Sequence, residues 1–114
     1  MHLANAETAE VPQAKIVDYL LSLTHRDGRG KAIFFHGHGF SQDRWEELAI
    51  ALRQHAMKND ITKEEVTPFG QRFVVEGKFL AVDGRTPNVR TVWFLDEGET
   101  CPRFVTAYPL EAEK

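Results

Sequence analysis

Residues Gln71 to Pro109 read QRFVVEGKFLAVDGRTPNVRTVWFLDEGETCPRFVTAYP, and the alternation within this stretch decides the fold class. In Gln71 to Val82, Phe73, Val75, Phe79 and Ala81 share one parity, and Asp83-Gly84 follows as a turn. In Asn88 to Leu95, Val89, Thr91, Trp93 and Leu95 share one face, while Arg90, Val92 and Phe94 share the other. After the loop from Asp96 to Pro102, Arg103 to Tyr108 reads as a final short strand, stopped by Pro109. Successive side chains of a strand point to opposite faces, so β-branched and aromatic residues alternating between turn signals predict strands with one buried face. A further strand near Glu65 to Phe69 belongs at an edge, because Pro68 has no donor for a ladder.

Working outward, Gln42 to Lys58 carries Trp45, Leu48, Ala49, Leu52 and Ala56 at spacings of three and four, with charged residues on other faces. That spacing predicts an amphipathic helix, Trp45 included in its buried stripe, with Ser41 placed to cap it. Ile16, Val17, Tyr19, Leu20, Leu21 and Leu23 predict an earlier helix from Gln13, with Pro12 near its first turn. It ends in Thr24-His25-Arg26-Asp27-Gly28-Arg29-Gly30, where two glycines break regular structure. Between the helices, Lys31-Ala-Ile-Phe-Phe-His36 is an apolar run short enough to be either a strand or a short helix. Residues 1–12 are polar and without periodicity and read as a flexible leader; 13–110 form a single α+β domain and 111–114 a tail. The fold expected is α+β, with N-terminal helices packed on a three- to four-stranded antiparallel sheet.

The chain has 114 residues, 42% of them hydrophobic, with eight Phe and two Trp to dominate burial. That is one domain's worth of core. A net charge of −3 and a pI of about 5.9 exclude a global basic field that would draw the chain onto nucleic acid or an anionic membrane. A local cationic cleft remains open to Arg26, Arg29, Lys31, Arg85 and Arg90. The single cysteine, Cys101, cannot form an internal disulfide, which fits a reducing compartment. No apolar run approaches the roughly 20 residues needed to span a bilayer, and the N-terminus lacks the regions of a signal peptide, so the cytoplasm is the expected location.

Three constellations carry chemistry. Phe34-Phe35-His36-Gly37-His38-Gly39-Phe40 looks like the oxyanion loop of an α/β-hydrolase, but the chain has neither the Gly-x-Ser-x-Gly elbow nor the length of that framework. His36 and His38 have no third and fourth ligand at recognisable spacing, so no metal and no cofactor is expected. His25-x-x-Gly28-x-x-Lys31 places a histidine and a lysine around a glycine-bearing loop, where the two can converge on one anion. On the last two strands, pairing Trp93 with Val105 would continue the core face through Thr91 and Ala107. The opposite face would then hold Arg90, Val92, Phe94, Phe104, Thr106 and Tyr108, with Arg90 across from Tyr108. Arg, Thr and Tyr side chains on one open face can grip a phosphate without a metal.

The set Lys15-Ile-Val-Asp-Tyr-Leu-Leu21, His25-Arg-Asp-Gly28 with Gly30-Lys-Ala32, Gly39-Phe40, the Trp45 helix, Gly84-Arg85, Val89-Arg-Thr-Val-Trp93 and Pro102-Arg-Phe-Val-Thr-Ala-Tyr-Pro109 resembles a bacterial domain family associated with toxin systems. That family looks like part of the superfamily of barnase, EndoU, RelE and several colicin nuclease domains, which place N-terminal helices before a four-stranded antiparallel sheet. The resemblance favours a short helix for Lys31 to His36. It implies metal-independent cleavage of RNA by 2′-hydroxyl attack, with His25 as general acid or base, Lys31 and Arg90 holding the phosphate, and Thr106 and Tyr108 completing the site. The implied partners are an RNA substrate and a cognate immunity or antitoxin protein. The alternative is a non-enzymatic interaction module that meets such a partner through the Arg90 and Tyr108 face.

Overall fold

Alternating strands need a covering layer, and here the first half of the chain supplies it. The computed structural model describes residues 1–110, so the tail expected at 111–114 lies outside the described residues. Helix α1 (Gln13–Lys15) widens at once into a π-helical turn, Ile16–Leu20, closed by the Leu21 N–H on the Ile16 carbonyl at 2.8 Å. Helix α2 spans Arg29–Gly37, so the run Lys31 to His36 is helical. A 3-10 turn, Gln42–Arg44, leads into helix α3, Trp45–Lys58. Strands β1 (Ile61–Thr67), β2 (Gly70–Lys78), β3 (Asn88–Asp96) and β4 (Arg103–Pro109) form one antiparallel sheet in the order β1-β2-β3-β4. The architecture is α+β, with the helices in the N-terminal half and the four-stranded sheet in the C-terminal half.

The core lies between the helices and one sheet face, and includes Ile16, Leu20, Phe35, Leu48, Leu52, Val75, Phe79, Val89 and Trp93. Several parts of the sequence reading need correction. The edge strand ends at Thr67, before Pro68, because the proline sits in the turn, where a missing donor costs nothing. The first helix stops short of Leu23, which is 52% exposed; the wide turn consumes its last residues. Ser41 stands at the N-cap of the 3-10 turn without a side-chain capping bond. Trp45 is only partly buried, because the buried stripe of α3 is centred on Leu48, Leu52, His55 and Ala56.

Residues 1–12, expected as a leader, pack against the helical layer and the sheet. Leu3, Ala6, Ala9 and Val11 are buried in the core, Arg53 Nε donates to the Ala9 carbonyl at 2.8 Å, and Glu10 bridges Arg103 beside β4. The segment hides its small apolar residues against α3 without any period that sequence inspection detects.

Trp93 pairs with Phe104, not Val105. A bulge between the Val92–Thr106 and Trp93–Phe104 pairs accommodates Val105 as the extra residue. Phe104 therefore turns inward, 1% exposed and edge-on to Trp93 at 5.4 Å, instead of lying on the outer face. Below the bulge the expected parity holds: Thr91 faces Ala107 and Arg90 faces Tyr108.

Candidate functional site

The helical layer meets the sheet alongside β4, where α1 and α2 both abut the strand. Tyr19, carried by the π-helical turn, projects its phenol into this seam. Lys31 Nζ donates to the Tyr19 hydroxyl at 2.8 Å, and the same hydroxyl lies 2.9 Å from Thr106 Oγ1. The phenol oxygen accepts from Lys31, and in the Tyr19–Thr106 bond either hydroxyl can donate. Lys31 Nζ also stands 6.0 Å from the centre of the Tyr108 ring, and Arg90 Nη1 donates to the Tyr108 hydroxyl at 3.0 Å. The His25 ring is edge-on to Tyr19 with centroids 5.0 Å apart.

The loop can approach this closely because residue 28 is glycine. A Cβ there would lie 2.4 Å from the Tyr19 carbonyl oxygen and 3.0 Å from its ring. The same turn fixes His25: its Nδ1 accepts the backbone N–H groups of Asp27 and Gly28, each at 3.0 Å. An accepting Nδ1 carries no proton, so the neutral ring is the Nε2–H tautomer and offers a donor.

Arg90 is engaged through all three of its nitrogens. Its Nε and Nη2 meet the Glu76 carboxylate, its cross-strand neighbour, and its Nη1 meets Tyr108. The Tyr108 hydrogen bond, and then that of Glu76, hold the guanidinium above its ordinary, already high pKa. The cation thus braces Tyr108, and these contacts use one N–H on each of its three nitrogens, so the second N–H of Nη1 and of Nη2 stays available to an added anion.

His25, Lys31 and Thr106 thus lie against Tyr19, with Tyr108 beyond Lys31 and Arg90 beyond Tyr108, and two open grooves flank the set. One, of about 610 Å³, is lined by Lys15, Tyr19, His25 and Thr106 among others. The second, of about 370 Å³, is lined by Lys63, Arg72, Glu76, Arg90 and Tyr108 among others. Lys31, touching both tyrosines, links them. The first groove is rich in donors: the His25 Nε2–H, the Thr106 hydroxyl and Lys15, whose Nζ donates to the Val105 carbonyl at 3.2 Å and lies 5.5 Å from the Tyr19 ring centre. Asp18 and Asp27 also line it, so an anionic group of phosphate size would sit toward the Lys15, His25 and Thr106 donors and away from the two carboxylates.

Sequence reasoning missed Tyr19, Lys15, Glu76 and His55. Tyr19 sits within the apolar spacing of the first helix, which disguises its hydroxyl as core. Glu76 lies on the same outer parity as Arg90 one strand away, a signal that cross-strand pairing would have exposed. His36 and His38 are backbone clamps: one ring bonds the Leu21 carbonyl and the other the Phe34 carbonyl, each at 2.8 Å. Among the described residues no three His, Cys, Asp or Glu side chains are grouped to hold a metal ion. No helix among them is long and apolar enough to cross a membrane.

No curated protein matches the chain. Among solved structures, a chain of a contact-dependent growth inhibition toxin–immunity protein complex from Klebsiella pneumoniae 342 shares the fold, with a TM-score of 0.75 at 20% identity over 95% of this chain and 98% of that one. In sequence, residues 2–111, from the packed N-terminal segment through β4, match the family described as a domain of unknown function, DUF6883, and the chain belongs to that family.

Proposed function

We propose that this domain is the ribonuclease of a bacterial toxin system, cleaving RNA by attack of the ribose 2′-hydroxyl on the adjacent phosphate without a metal. The observation that carries the reading is the gathering of His25, Lys31 and Thr106 about Tyr19, with Tyr108 beside Lys31, four donors from two separate parts of the chain. Lys31 supplies fixed positive charge, and Thr106 and Tyr108 hydrogen-bond the oxygens on which charge grows. For His25 to act as general acid at the leaving 5′-oxygen, Nδ1 must give up the Asp27 and Gly28 N–H groups and take a proton, so that Nε2 can donate its own, while water takes the proton of the attacking 2′-hydroxyl. Arg90 fixes the Tyr108 phenol and adds charge behind it. The toxin-system setting draws on the fold shared with a chain of the Klebsiella complex. It also implies an immunity protein as partner.

The purified chain should cleave single-stranded RNA in the presence of EDTA and leave 2′,3′-cyclic phosphate ends. His25→Ala should lower the rate by roughly 10² to 10⁴ with little change in binding, and Lys31→Ala should weaken both. Cleavage that survives both substitutions in folded protein, or that requires a divalent ion, would reject the reading.

The bracing of Arg90 by Glu76 and Tyr108 supports a second reading, in which this face is a preassembled surface for a protein partner. Expression that arrests growth only while His25 and Lys31 are intact selects the enzyme over this alternative.

A further inference from the structure

The far end of the sheet carries apolar surface that the fold does not use. Val66 is 81% and Phe69 77% exposed, at the end of β1 and in the β1–β2 turn. Nothing in the turn requires an aromatic residue. Thr67 Oγ1 already closes it, donating to the Gly70 carbonyl at 3.0 Å and accepting the Phe69 N–H at 3.1 Å. The β3–β4 turn then clamps it, because the Glu97 N–H donates to the Phe69 carbonyl at 3.0 Å. Gly70 permits the close fit: with φ at +150°, its Cβ would stand 2.1 Å from the Leu95 carbonyl oxygen. Phe69 is therefore displayed on a braced hairpin, so a partner loses little chain entropy by packing on it.

Beside Phe69 runs a groove of about 490 Å³ between the two turns, lined by Val66, Pro68 and Leu95 and by Asp96, Glu97 and Glu99. No Lys or Arg lines it. Asp96 is bonded to Arg103 at 2.8 Å, whereas Glu97 and Glu99 have no ion pair among the described residues. An apolar floor under free carboxylates selects a long cationic side chain, whose methylenes cover the floor while its charge meets the rim.

We propose that this hairpin end is a docking surface for a basic segment of a partner protein, which packs an apolar residue on Phe69 and Val66 and lays an Arg or Lys along the groove toward Glu97 and Glu99. Arg90 and Asp96 are six residues apart along β3, about 20 Å in a strand, so the surface lies at the other end of the sheet from Arg90 and its partner Tyr108. The proposal does not depend on the ribonuclease reading, since no residue lining this groove lines either site groove.

The test uses random 12-residue peptides displayed on phage, selected on the full chain and counter-selected on Phe69→Ala. Selected peptides should combine Arg or Lys with an adjacent apolar residue. A synthetic copy should shift the amide resonances of Val66, Phe69 and Leu95 and lose about tenfold or more in affinity on Phe69→Ala. Glu97→Gln with Glu99→Gln should cost a smaller, salt-sensitive factor, and His25→Ala none. Both altered sites are exposed, and circular dichroism with the thermal midpoint verifies that each variant folds. Peptides that are acidic, or indifferent to Phe69→Ala, overturn the proposal. So does failure to select any peptide, or a dimer in sedimentation that Phe69→Ala abolishes, which would make a second copy the occupant.

Discussion

His55 occupies the apolar stripe of α3, seven residues beyond Leu48, yet its ring is hydrogen-bonded at both nitrogens. Nε2 donates to the carbonyls of Val89 at 2.9 Å and Gly77 at 3.2 Å, so Nδ1 accepts from the Thr91 hydroxyl at 3.1 Å. Thr91 in turn accepts the Trp93 indole N–H at 2.9 Å, completing a buried relay that the neutral imidazole alone satisfies. Burial accordingly lowers the His55 pKa from the ordinary 6.5, against the opposing pull of the Gly77 and Val89 carbonyls. The unfolded chain binds this proton more readily than the folded one, so the stability contribution is whole above about pH 6.5 and is lost as pH falls below it. Urea unfolding between pH 7.5 and 5 should show that decline, and His55→Phe should flatten it while lowering stability at pH 7.5 by about 1–3 kcal/mol through orphaned carbonyls and Thr91. An equally steep pH dependence in His55→Phe would assign the decline to other groups.

Helix α3 shows how an element's period can be right while its edge is misjudged. The spacing of Trp45, Leu48, Ala49, Leu52 and Ala56 identifies the helix, but the stripe turns inward only from Leu48, and Trp45 packs at its margin. Leu48→Ala should cost about 2–5 kcal/mol, as for a buried leucine, and Trp45→Ala about 1–2 kcal/mol, well under the cost of a buried tryptophan. Equal losses by urea unfolding would restore Trp45 to the core. Strand β4 is the complementary case, since one bulged residue moves Phe104 to the opposite face without changing the composition of the strand.

At the scale of the molecule, the sheet and the helical layer are held together at both margins. Along β4 the tie is Tyr19 with Lys31 and Thr106; at the free side of the sheet the Ile61 N–H donates to the Met1 carbonyl at 2.8 Å. The N-terminal segment thus touches β1 at one end and, through Glu10 and Arg103, β4 at the other. Deleting residues 1–11 should lower stability by more than about 3 kcal/mol, because it removes buried Leu3 and Val11 together with this pairing. A truncated chain whose urea midpoint matches that of the full chain would show that the segment adds nothing.

Amino-acid order by itself determined what depends on period: the strand alternation of Val89, Thr91 and Trp93 against Arg90 and Val92, and the amphipathic helix that ends at Lys58. These are one-dimensional properties, because a repeat of 2.0 or about 3.6 residues assigns a face before any partner is known. Only the tertiary structure decided the bulge that buries Phe104, the packing of Leu3 and Ala6, the capture of Arg90 by Glu76 and the place of Tyr19 between Lys31 and Thr106. Each depends on groups far apart in the chain, 87 residues in the case of Tyr19 and Thr106, whose meeting is set by loop direction and by the space left at Gly28. Period carries no information about either.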